Sequence, residues 1–120
     1  MRDVKAVNMA VRLMEETSLG RIQWKLGDVP SGLTTGTENV FTLFVETEFK
    51  QTRIAMYQVR YKYYHDEDEW SWAEVVVLAI LDDYDRVLWE SESDEPEIRE
   101  LYRIVRRNVS GVNKLLNYFR

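Results

Sequence analysis

The stretch Tyr61 to Trp72 reads YKYYHDEDEWSW and gathers three tyrosines, the chain's one histidine, four consecutive acids and two tryptophans. Carboxylates among aromatics could cradle a metal, offer a sugar platform or mimic nucleic acid. Calcium chemistry needs more than acidity. An EF-hand loop starting at Asp66 requires a ligand at its fifth position and glycine at its sixth, where this chain has Trp70 and Ser71. A loop starting at Asp83 fails the same test with Val87 and Leu88. His65 stands alone, so a three-histidine zinc site is excluded. The absence of cysteine removes thiolate zinc and thiol nucleophiles. The stretch therefore reads as two strand ends joined by a solvated turn, with Asp66, Glu67, Asp68 and Glu69 as a candidate charged contact, no metal and His65 at the surface.

Other chemistry is equally unsupported. With 21 acidic residues, carboxylate pairs are too common for spacing to pick out a catalytic pair. The glycine-containing segments GDVPSG and GLTTG lack the lysine and the helix start of a phosphate-binding loop. No catalytic residue and no cofactor is implied, and the chain is expected not to be an enzyme.

Charge is the strongest electrostatic feature. Residues 96–120 carry a net +4, which leaves the first 95 at −9 within a total of −5. Arg103, Arg106 and Arg107 form a second candidate charged contact. Cations late in a helix also answer its dipole, and the overall acidity disfavours a general affinity for phosphate backbones, so nucleic-acid binding is not expected. No apolar run approaches the ~18 residues of a membrane helix. The first residues, MRDVKAVNMAVRLMEET, place charges where a secretory signal needs an apolar block. A cytoplasmic location away from membranes is expected.

The elements that must position these residues follow from periodicity. At 120 residues, 45% apolar and 31% charged, one globular domain over residues 1–120 is expected. Asp3 can cap a helix with Val4, Val7, Val11 and Met14 on one stripe, ending near Ser18 with Gly20 beyond it. RIQWKL alternates as a short strand, and Gly27 to Asn39 reads as the longest loop. Strand patterns then run through VFTLFVETEF, RIAMYQVRYKYY, SWAEVVVLAILD and RVLWESES, with a reversal at Lys50 to Thr52. Pro96 suits the start of a final helix whose stripe runs from Ile98 to Phe119, with Gly111 marking a kink or a close contact. The fold class is α+β: an antiparallel sheet of about five strands in a meander, with N- and C-terminal helices packed on it.

Parity within these strands sets up a candidate interface. If Phe41, Val59 and Val77 face the helices, the opposite face presents Phe44, Met56, Trp72, Val76, Leu78 and Ile80. A face open to water should be mainly polar, so this apolar set points to association, as a homodimer or with a protein partner. Helices lying on opposite faces would bury the same residues within one chain, and both readings stay open.

Two motifs carry a resemblance. Thr17, Gly20, Ile22 and Trp24 in EETSLGRIQWKL, with Leu101, Tyr102, Val105, Arg106 and Arg107 in the last helix, resemble small stand-alone bacterial and phage α+β proteins. The resemblance covers the two ends of the chain and implies a mobile-element or accessory context without an activity. The leading expectation is a non-enzymatic protein-binding or regulatory module that self-associates through the sheet face. One alternative is an acidic inhibitor that occupies a partner's nucleic-acid-binding surface, with Asp82, Asp83 and Asp85 adding to the acidic turn. The other is a small-ligand binder with a pocket between sheet and helices.

Overall fold

The computed structural model describes residues 2–119 and has the expected α+β layout. Its elements are α1 (Val4–Ser18), β1 (Lys25–Leu26), α2 (Ser31–Thr34), β2 (Val40–Phe49), β3 (Thr52–Tyr64), β4 (Trp70–Leu81), β5 (Val87–Glu90), α3 (Pro96–Ser110) and α4 (Val112–Tyr118). The five strands pair antiparallel in sequence order, β1-β2-β3-β4-β5. Each hairpin follows from its turn. Lys50 and Gln51 both adopt positive φ, 51° and 62°, the backbone of a two-residue turn that matches strand twist. At the other end of β3, the Asp66 carboxylate accepts from the amides of Asp68 and Glu69, so at least one acid of the opening stretch is there to build the turn.

Helix α1 begins where Asp3 accepts the amide of Ala6 at 3.1 Å. Its buried face is Ala6, Ala10, Leu13 and Thr17, while Val4 and Val11 are exposed. The helix is therefore rotated from the expected valine stripe, because small alanines at 6 and 10 allow close approach to α3. The TxxGxIxW motif resolves into local packing. The Thr17 hydroxyl accepts from the Trp24 indole at 2.9 Å, Gly20 takes φ 71° to turn the chain, and Ile22 and Trp24 enter the core. With those side chains so engaged, ladder pairing shrinks from the expected strand to Lys25–Leu26.

The sheet separates two cores. On one side α1 and α3 cover Val45, Ile54, Met56, Val76 and Leu78. On the other, Phe44, Tyr57, Val59, Val77 and Leu81 pack together, with Val29 and Leu33 from the 27–39 segment against them. A bulge in β2 divides the strand between the two. Leu43 has φ 46°, register shifts between Thr42 and Val45, and Leu43 and Phe44 together oppose Tyr57. The Tyr102 hydroxyl, from α3, lies 2.8 Å from the Leu43 carbonyl and 3.2 Å from that of Thr42, so it donates into the disrupted ladder. Burial pushes that hydroxyl up to about 12, with the Arg106 guanidinium, stacked on its ring, pulling the other way. The expected helix from Pro96 to Phe119 breaks at Gly111, whose φ of 74° ends α3 and redirects the chain into α4.

Candidate interaction surface

The longest strands build the surface. Beyond the pair Val40↔Arg60, β3 has no further partner in β2, and β5 reaches β4 only at Ala79, Ile80 and Leu81. Among the described residues, Tyr61–Tyr64 and Trp70–Ala73 therefore form a ribbon of two strands only. On the helix-side parity this ribbon carries Arg60, Lys62, Tyr64, Trp70, Trp72 and Glu74. Lys62 Nζ lies 4.6 Å above the Trp70 ring, the Arg60 guanidinium 5.4 Å from that of Trp72, and the two indoles meet edge to face. Arg60 also ion-pairs with Glu74 at 3.2 Å, and Gln58 donates to Glu74 at 2.9 Å. On the other face His65 packs against Tyr63 and lies 2.9 Å from the Ser71 hydroxyl. Although held in place, Trp70 and Trp72 remain 43% and 41% exposed.

The outer edge of β4 is more unusual than its aromatics. Ser91 donates its amide to the Leu78 carbonyl at 2.8 Å and accepts the Leu78 amide on its hydroxyl at 3.0 Å, so the backbone of Leu78 points away from β3. Antiparallel strands alternate this direction residue by residue. Val76, Glu74, Trp72 and Trp70 thus point their amides and carbonyls outward too, where no strand lies among the described residues. A row of unmatched peptide groups on a long strand is a template for pairing with another chain.

The expected interface of Phe44, Met56, Trp72, Val76, Leu78 and Ile80 is not formed as one surface. Met56, Val76 and Leu78 lie beneath the helices, and Ile80 is half-buried beside Met9 and Phe49. Phe44 lies in the core on the other side of the sheet, and Trp72 alone is exposed. The parity is the reverse of that supposed for the interface: the helices cover the Met56 side, and the bulge moves Phe44 off the side that its sequence position suggests. The acidic turn and the arginine row are not brought together either. Arg103 pairs with Glu100, Arg106 stacks on Tyr102, and Arg107 sits near Thr17 and Trp24 at the end of α3. Sequence reasoning missed the open edge, because β4 spans 12 residues against 4 in β5, while the pattern RVLWESES suggests a longer partner strand.

Among the described residues no three His, Cys, Asp or Glu side chains gather to hold a metal, and no helix is long and apolar enough to cross a membrane. Comparison of the chain with family models, curated proteins and solved structures finds no match.

Proposed function

We propose that this protein is a non-enzymatic binding module that engages protein chains at the outer edge of β4, by accepting an extended strand beside Trp70 to Val76. The observation that carries this reading is the outward backbone of Trp70, Trp72, Glu74 and Val76, flanked by exposed indoles. Strand addition takes its affinity from main-chain hydrogen bonds and its selectivity from side chains of alternate residues. The experiment places the photo-cross-linker benzoylphenylalanine at Trp70 and, as a control, at the exposed Tyr84, in cells with and without Glu74→Pro. The amide of Glu74 faces outward, so proline there removes no bond of the β3–β4 ladder. Cross-links from position 70 that vanish with Glu74→Pro support the reading. Cross-linking indifferent to the proline, or equal from position 84, refutes it.

A second reading draws on the acids at the tip of the ribbon. Asp66 to Glu69 are exposed and carried clear of the helices, which suits contact with a basic, nucleic-acid-binding protein surface. The same cross-linking distinguishes it, since such contacts survive Glu74→Pro and are lost when Glu67 and Asp68 become Gln and Asn.

A further inference from the structure

We infer that the strand added to β4 is β4 of a second copy of this chain, antiparallel, with Ala73 of each copy on the two-fold axis. This rests on the edge reading above and adds an occupant and a register. The open stretch is bounded at both ends. Beyond Trp70 the chain enters its turn, and beyond Val76 the backbone of Leu78 is already bonded to Ser91. Its midpoint is Ala73. Only the register centred there pairs every outward residue with an outward residue of the other copy: Trp70 with Val76, Trp72 with Glu74, and the reverse. Each such pair exchanges two backbone bonds, about eight in all.

Neighbouring registers are worse for identifiable reasons. Sliding two residues one way sets Glu74 against Glu74, a like-charge pair, and Trp70 against Leu78, whose groups are taken by Ser91. Sliding the other way sets Val76 against Asp68 inside the turn. In the centred register the helix-side face reads Lys62, Trp72, then Glu74 and Arg60 of the second copy, so Trp72 meets Glu74 across the seam and no like charges stand directly opposite. The smallest side chain on that stretch of strand, Ala73, meets itself at the axis. Both helical layers then lie on one face of a continuous sheet. The cost falls at the ends of the seam, where turn acids of one copy approach Glu90 and Glu92 of the other. Experiments at about 0.5 M salt, where the Debye length is about 4 Å, screen that repulsion.

The chain has no cysteine, so single cysteines report the register directly. Ala73 pairs across the axis in a non-hydrogen-bonded position, with Cα atoms expected about 4.5 Å apart, within disulfide reach. Under mild oxidation Ala73→Cys should become a covalent dimer. Ser71→Cys and Val75→Cys should each stay monomeric alone and cross-link when mixed, because residue 71 faces residue 75. A non-covalent dimer, detected by sedimentation, in which Ala73→Cys does not cross-link would overturn the register. A parent that stays monomeric at high concentration, with no cross-link from any variant, would overturn the second copy as occupant. In that case, position-70 cross-links lost with Glu74→Pro would still stand for another partner, so the two failures are distinguishable.

Discussion

Replacing Leu78 with alanine tests which side of the sheet the helices cover. Leu78 is fully shielded, opposite Met56 on β3 and in one cluster with Ile98, Leu101 and Val105 of α3. Truncating an enclosed leucine loses its transfer free energy and leaves a cavity, about 3 kcal/mol or more. A chain of 120 residues unfolds with an entropy of roughly 2.1 cal/mol/K per residue, so 3 kcal/mol lowers Tm by about 12 °C. Leu88, on β5 and 65% exposed, is the matched control, with an expected loss within about 0.5 kcal/mol, or about 2 °C. Thermal melts by circular dichroism, checked by urea unfolding, read both. A loss at Leu78 below about 1 kcal/mol, or one no larger than at Leu88, would mean that this face is open to solvent, and the assignment of the helical layer would fail.

Two further outcomes follow from polar contacts. Tyr102→Phe removes the hydroxyl that serves the Thr42 and Leu43 carbonyls, and stability should fall by about 1–3 kcal/mol with faster amide exchange around the bulge; unchanged stability would show the bulge to be self-sufficient. Glu95 is held below the usual carboxylate range, first by the amide of Asp3, then by the Ser93 hydroxyl and the Arg2 guanidinium. A depressed folded-state pKa contributes stability above the unfolded value of about 4.3, lost as pH falls through the folded value. The advantage of the parent over Glu95→Gln in urea midpoint should therefore be full at pH 7 and shrink below about pH 4. A difference constant across that range would show that the contact acts through packing alone.

Element order was legible because the signals were local. Asp3, the Lys50 to Thr52 reversal, the acidic turn and Pro96 each mark a boundary through their own chemistry. Which face each strand turns to the helices was not, because β3 and β4 are apolar on both parities. Ile54 and Met56 alternate with Ala55 and Tyr57, and Val75 to Leu81 is apolar throughout. The bulge deepened the ambiguity. Leucine is an uncommon residue at positive φ, so nothing at position 43 announced that parity would change. The free edge was a matter of lengths rather than residue types, and lengths emerge only when strands are paired. The helix break at Gly111 was legible as a glycine at helical spacing, but not the exposure of Leu115, Leu116 and Tyr118 beyond it.

The bulge at Leu43 also bears on how this sequence can change over time. By reversing which parity of β2 faces which side of the sheet, it assigns Phe41 and Phe44 to the packing of the 27–39 segment, and Val45 and Phe49 to that of the helices. Neither group touches what the other must fit. Related chains should accordingly vary in two blocks, with residues 29 and 33 drifting together with 41, 44, 57 and 59, and residues of α1 and α3 drifting with 45, 54, 56 and 78. Position 43 itself should tolerate replacement and even deletion, since losing that one residue still leaves Phe44 opposite Tyr57 and Val45 opposite Met56, whereas deleting a residue elsewhere in β2 would turn one block's side chains to the wrong side.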